Sequence, residues 1–285
     1  MIIDSHQHFW QVGRYDYPWM NPDLGALYRD YLPETLQPIL KECGVAKTIL
    51  VQASNSLAET DWLLSLADRH RFIAGVVGWV DLTYPGIAQD LEVFTADPNF
   101  KGVRHLVESE PADDWLAQPE VLRGLQILEK QNLSYDLLVH NRHLKHVKTV
   151  AETCPELRLV VDHMAKPPIG RGSQDEIAEW AGALREVAAY PNVWCKLSGL
   201  VTEANRTSWR VEDLRPFVEQ ALESFGPERI MFGSDWPVCL LAAAYVEVLD
   251  AFQFLLHKLS EEERAMIFSG NATKFYRLEA EASAA

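Results

Sequence analysis

No stretch of this 285-residue sequence approaches the roughly 20 consecutive apolar residues of a membrane span; the longest apolar runs, such as 238–245, fall far short. Positive charge is scarce too. Twenty-six Lys and Arg against 41 Asp and Glu give a formal net charge of -15, which argues against a nucleic-acid backbone or an anionic membrane as partner but says nothing against a neutral substrate. The four cysteines, Cys43, Cys154, Cys195 and Cys239, form no C-x-x-C pair, and the chain begins on a strand without a basic, apolar leader. A reducing cytoplasm is the expected location. There is no low-complexity block, no short-period repeat and no G-x-G-x-x-G after the first strand, so a solenoid and a nucleotide-binding open sheet have no support. No serine or cysteine sits in a nucleophile elbow, which disfavours a covalent intermediate.

What is present is a large apolar fraction, 48%, in a chain long enough to bury one sizeable core. Strand-like runs at 48–53, 73–80, 101–106, 134–140, 157–162, 192–198 and 229–233 follow an initial strand within 1–10. Helix-period segments at 33–43, 58–70, 85–95, 119–131, 144–153, 175–189, 213–225 and 241–257 alternate with them. Continuous apolar strands separated by helices imply a parallel sheet covered outside, and eight such units predict a (β/α)8 barrel, an α/β fold, with a doubly wound open sheet as the alternative. The expected organisation is a single domain over 1–278, with an aromatic-rich loop at 10–31 as a lid or wall over the site, and a disordered tail at 279–285.

In such a barrel, chemistry gathers at the C-terminal ends of the strands. His6 and His8 lie one residue apart, so an extended strand turns them to one face, Asp4 with them, where two imidazoles can hold a divalent cation. The other tips offer Gln52, Asp81, Arg104 and His105, His140, Asp162 and His163, Lys196 and Ser198, then Ser234, Asp235 and Trp236. Asp235 follows a short apolar strand, where a carboxylate serves as ligand, general base or both. Lys196 lies inside an apolar strand and needs a partner, either a carboxylate or the substrate. His143 and His146 fall on the following helix and are expected to be solvated.

The pair Asp4-Ser-His6-Gln-His8 and Gly233-Ser-Asp235-Trp-Pro237 resembles the amidohydrolase superfamily, barrels with His-x-His on the first strand and Asp on the last. Gly78-Trp-Val-Asp-Leu82, Lys101-Gly-Val-Arg-His-Leu106, Asp162-His-Met-Ala-Lys-Pro167, Cys195-Lys-Leu-Ser-Gly-Leu200 and Phe232-Gly-Ser-Asp-Trp-Pro237 are similar to its sugar-lactone hydrolase branch, close to L-fuconolactonases. The resemblance implies hydrolysis of a cyclic ester, with Asp235 as general base toward water and His6 and His8 as metal ligands with Asp235. His140 stands at the fifth-strand ligand position, and His163 is a further candidate ligand. Arg104-His105 replaces a fourth-strand lysine, so one divalent metal (Zn2+) is expected rather than two, its necessity open. Opening the ring makes an oxyanion, which His163, Arg104, Lys196 or a metal would stabilise.

For the substrate, a dicarboxylate lactone wants two cationic clamps, and only Arg104, Lys196 and Arg142 are near the tips. Trp10, Gln52, Asn55, Trp79, Asp81, His105, Asn141, Ser198 and Trp236 supply the donors, acceptors and aromatic wall of a polyhydroxylated lactone. The expected substrate is therefore a small-molecule aldonolactone of the L-fucono/L-galactono type. A 2-pyrone-4,6-dicarboxylate-type lactonase, a metal-dependent decarboxylase and a non-catalytic binding barrel are the alternatives.

Overall fold

The computed structural model describes residues 1–278; the tail expected at 279–285 lies outside them. Eight parallel strands follow one another around the sheet in chain order: β1 (Ile2–Gln7), β2 (Val45–Val51), β3 (Ile73–Gly78), β4 (Phe100–His105), β5 (Ser134–Leu137), β6 (Arg158–Val161), β7 (Val193–Leu197) and β8 (Ile230–Phe232). The seam is completed just past β8. There Asp235 N donates to His6 O at 2.8 Å and His8 N to Trp236 O at 2.7 Å, so the last strand's tip is bonded to the first strand's tip. Gly233 permits the approach, since a Cβ there would lie 2.7 Å from that of His6.

Helices α1 (Pro33–Glu42), α2 (Leu57–Arg69), α3 (Ile87–Thr95), α4 (Pro119–Lys130), α5 (Leu144–Thr153), α6 (Gln174–Ala188), a short α7 (Leu200–Glu203), α8 (Val211–Phe225) and α9 (Tyr245–Leu255) connect the strands or follow the last. Their starts are written locally: Pro33 and Pro119 stand at the first helical position, and Ser173 with Glu176 forms a capping box. Beyond the expected elements come α10 (Glu261–Ala265), a π turn (Met266–Gly270) and α11 (Asn271–Tyr276). Helix α11 closes the floor of the barrel: its Phe275 and Tyr276 pack with Ile3, Ile49, Val77, Val160, Trp194 and Met231 from the strand interiors.

Above this apolar layer lies a polar one made of His6, Arg104, Asp136, Asp162 and Lys196. Asp4 is not part of it. The pairing of β1 with β2 shifts register between Asp4 and Gln7, which separates Asp4 from the face of His6. Asp4 instead accepts from Ser234 Oγ (2.6 Å), Ser234 N (2.9 Å) and Tyr245 Oη of α9 (3.0 Å), pinning the turn after β8. Burial pushes its carboxyl up to about 6.

The loop at 10–31 is hydrogen-bonded within itself and to the turn after β2. Trp10 and Tyr31 exchange backbone hydrogen bonds at 3.0 and 2.9 Å, Trp19 Nε1 donates to Ala53 O at 2.8 Å, and Ser54 Oγ donates to Asp16 O at 2.6 Å. The Ala53–Ser54 turn that receives it is held by Glu59 of α2, whose Oε2 accepts from both backbone N–H groups at 3.0 and 2.8 Å. Burial pushes Glu59 from 4.5 up to about 7. The folded state therefore binds a proton that the unfolded chain has released, and stability is lost as pH rises from about 4.5 to about 7, by at most on the order of 3 kcal/mol. Denaturant unfolding of Glu59→Gln against the wild type should show the variant gaining relative stability between pH 5 and 7.5. A constant difference would mean that the carboxyl is ionised throughout.

Candidate active site

Asp235 occupies a left-handed backbone conformation (φ 58°) at the tip of β8, which turns its carboxylate inward over β1. Its Oδ1 lies 3.5 Å from His8 Nε2 and 3.8 Å from both His6 Nε2 and His163 Nε2. Burial opposes its ionisation, but the surrounding His163, His8 and His6 outweigh that and hold the carboxyl below the usual range. Burial also keeps the three imidazoles below their ordinary range, His6 well below it. At neutral pH the centre is thus one carboxylate ringed by neutral imidazoles.

His163 reaches this ring through unusual backbone. His163, Met164, Ala165 and Lys166 all have φ between 52° and 57°, a left-handed turn that costs roughly 1–2 kcal/mol per residue without glycine. The turn is held by Lys166 N donating to His163 O and Trp180 Nε1 donating to Met164 O, both at 2.8 Å. Ser198 Oγ sits 2.8 Å from His163 Nδ1 and fixes the ring. Gly199, with φ 67°, leaves room for it, because a Cβ there would fall 2.7 Å from that same Nδ1.

Arg104 brings a guanidinium to the same spot. Its Nη1 is 3.2 Å from His6 Nε2 and 3.3 Å from Asp162 Oδ2, while its other nitrogens bond the side-chain and backbone carbonyls of Gln52. Lys196 lies deeper and does not line the cavity. Its ammonium, fully buried, is 2.5 Å from Asp136 Oδ2, 3.0 Å from Asp162 Oδ1 and 3.1 Å from His6 Nδ1. The partner it needed is therefore a pair of carboxylates rather than the substrate. Asp162 is held well below its usual range, since Lys196, His6 and Arg104 outweigh the burial that opposes its charge.

Over these groups opens a cavity of about 210 Å³. His8, Arg104, His163 and Asp235 form its chemical end, and Trp10, Trp19, Leu24, Leu27 and Leu106 its aromatic and apolar walls. Glu108, Lys166 and Glu203 line it too, with Glu108 paired to Lys166 and Glu203 to Arg171. Of the expected substrate contacts, Trp10 lines the cavity and the others stand outside the lining. Gln52 backs Arg104, and its amide donates to Asn55 Oδ1 at 3.2 Å. His105 accepts from Trp79 Nε1 at 3.0 Å, pairs with Glu110 at 2.6 Å and stacks on Trp115, which leaves it behind the cavity wall. Asp81 caps its own turn by accepting from Thr83, Asn141 opens a 3-10 turn, and Ser198 holds His163. Trp236 is buried edge-on against Phe9 and Tyr31.

His140 stands outside the ring as well. Strand β5 ends at Leu137, three residues earlier than expected, and His140 Nε2 points to Glu108 at 3.8 Å. His143, expected to be solvated, is buried, and its Nδ1 accepts from His140 N at 3.0 Å. Among the described residues, two groupings could hold a cation: His6 with His8 and Asp235, and His6 with Asp162 and His163, their ligand atoms within 4.8 Å of one another. His8 is set up for ligation because its Nδ1 donates to Val51 O at 2.8 Å, leaving the Nε2 lone pair facing Asp235. His6 joins through Nε2 when its Nδ1 proton turns to Asp162 Oδ1, 3.4 Å away.

The family model for the amidohydrolases matches residues 3–278, covering the barrel and the ring at its mouth. The chain belongs to the amidohydrolase family. Among its amidohydrolase relatives it is 40% identical over 283 residues to an L-fucono-1,5-lactonase of Burkholderia ambifaria, covering 97% of this chain and 96% of that one. It is 42% identical over 285 residues to an L-fucono-1,5-lactonase of Burkholderia multivorans, with the same coverage. A crystal structure of a Burkholderia multivorans amidohydrolase with bound Zn superposes with a TM-score of 0.92 at 40% identity, covering 98% of this chain and 100% of that one.

Proposed function

We propose that this amidohydrolase opens a sugar lactone of the L-fucono-1,5-lactone type to the aldonic acid by general-base attack of water. The observation that carries the reading is Asp235, held ionised among three neutral imidazoles and beside the Arg104 guanidinium, at the end of a walled cavity. Two L-fucono-1,5-lactonases about 40% identical over nearly the whole chain support the substrate class.

Asp235 takes a proton from water as the water oxygen bonds the lactone carbon. The carbonyl oxygen becomes an oxyanion, which Arg104 and the N–H of His163 stabilise in a site screened from solvent. As the ring carbon–oxygen bond breaks, the proton on Asp235 passes to the departing oxygen, leaving a hydroxy acid and the original carboxylate. Lys196 acts from below, through His6 and Asp162, rather than on the substrate. Of the polar tip residues, Gln52 and Ser198 serve by orienting Arg104 and His163.

His6, His8 and Asp235 would hold a single Zn2+ if one is resident, and such an ion supplies Lewis acidity toward the carbonyl and an acidified water. The decisive experiment is a pH-indicator assay with L-fucono-1,5-lactone, run on protein as purified and after chelation, with its metal content measured. Acid release above the spontaneous rate is expected in the first sample, and none would sink the lactonase reading. An equal rate after chelation to below one ion in ten molecules would assign catalysis to the side chains alone.

A further inference from the structure

The barrel floor is connected to the reacting end by a chain of polar groups that begins outside the site. Tyr276, on α11, is buried with its ring in the apolar floor layer, yet its hydroxyl donates to Asp136 Oδ2 at 2.7 Å. The same oxygen receives Lys196 Nζ at 2.5 Å, while Asp136 Oδ1 has no hydrogen-bond partner among the described residues. Lys196 Nζ in turn sits 3.1 Å from His6 Nδ1, and the other nitrogen of that ring is 3.8 Å from Asp235. One carboxylate oxygen thus carries both the floor's donor and the ammonium that touches the site.

We propose that Tyr276 is a positioning residue for hydrolysis, holding Asp136 so that Lys196 stays beneath His6. Asp162 shows why the second carboxylate matters. It is shared, its Oδ1 3.0 Å from Lys196 and its Oδ2 3.3 Å from Arg104, so an ammonium drawn off toward Asp136 would leave Arg104 alone on it. Arg104 lines the cavity and Lys196 does not, so a disturbance at the floor reaches the substrate through Asp162 and His6. A buried carboxylate that loses one of two donors is poorly compensated, and it relaxes toward the remaining one. The C-terminal helix would then do more than plug the barrel: it would supply the lowest link of the site.

The proposal rests on the lactonase reading for its kinetic arm but not for its spectroscopic one. Tyr276→Phe keeps the ring in the floor and removes only the hydroxyl. Phe275→Leu, next along the same helix, disturbs the floor packing and leaves the hydroxyl in place. In the as-purified protein Tyr276→Phe should lower kcat for L-fucono-1,5-lactone about tenfold with KM within about twofold, the scale of one lost hydrogen bond to a charged group. Phe275→Leu should lower the melting temperature more and kcat less. In 15N-histidine-labelled protein, the Nδ1 resonance of His6, assigned by its loss in His6→Gln, should move in Tyr276→Phe and stay in Phe275→Leu. An unchanged His6 resonance in Tyr276→Phe overturns the proposal, as do losses of kcat in the two variants that simply follow their losses of stability. If the wild type opens no lactone, the resonance alone decides, and the failure belongs to the substrate reading.

Discussion

Asp235→Asn is expected to lower kcat for lactone opening by about 10²–10⁴-fold without lowering the melting temperature, because the amide keeps the shape of the carboxylate but cannot take a proton from water. The backbone bond that ties this residue to the first strand, Asp235 N to His6 O, survives the change. KM should move little, since the lost interaction forms as the proton transfers. The acid limb follows from the same geometry. A base must be ionised, and Asp235 is held below the ordinary carboxylate range, while burial holds His6, His8 and His163 neutral below their usual range. Wild-type kcat/KM should therefore stay level from pH 8 down through pH 6, with no inflection near the ordinary histidine value of about 6.5. Near-wild-type kcat in Asp235→Asn, with the fold intact, would take Asp235 out of the mechanism.

How much of this site could be read in the sequence depends on what placed each residue. His8, Arg104, His163 and Asp235 were legible because each ends an apolar strand, and a closed barrel brings all such ends to one mouth. The same rule overreached one step further out. Gln52, His105 and Ser198 are also at strand ends, yet their side chains hold Arg104, the loop after β4 and His163, and nothing in a strand's period tells a lining residue from one that supports it. Asp4 was misplaced because a register shift inside β1 breaks the alternation on which its face was assigned. Asp136 passed unremarked inside an apolar strand, although an acid there and a lysine at 196 each signal a buried partner. Glu108 and Glu203 gave no signal, and Lys166 stood only as part of the 162–167 motif, with no role. Glu108 sits on a 3-10 turn, Lys166 ends the left-handed turn and Glu203 ends a four-residue helix, all past the strands, where local backbone rather than periodicity aims the side chain.

These unforeseen residues bear on which lactone is taken. A planar dicarboxylate needs two available cations, and the two that line the cavity are already committed: Lys166 to Glu108, and Arg104 to Gln52 and Asp162. Glu108, Glu203 and Asp235 face the same space, so an incoming dianion meets three carboxylates against those two cations. A neutral polyhydroxylated ring suits the same wall, because hydroxyls can both donate to Glu108 and Glu203 and accept from Lys166, with Trp10 and Trp19 against its apolar face. We therefore expect kcat/KM for L-fucono-1,5-lactone to exceed that for 2-pyrone-4,6-dicarboxylate by about 10³-fold or more, the range set by buried polar groups left unpaired or opposed in charge. Glu108→Gln should narrow this ratio from both sides. It removes a negative charge from the dianion's path and frees Lys166, and it weakens the hydroxyl contact of the sugar lactone, raising its KM with little change in kcat. Comparable kcat/KM values for the two lactones in the wild type would overturn this account of the wall and leave the hydrolytic chemistry at Asp235 untouched.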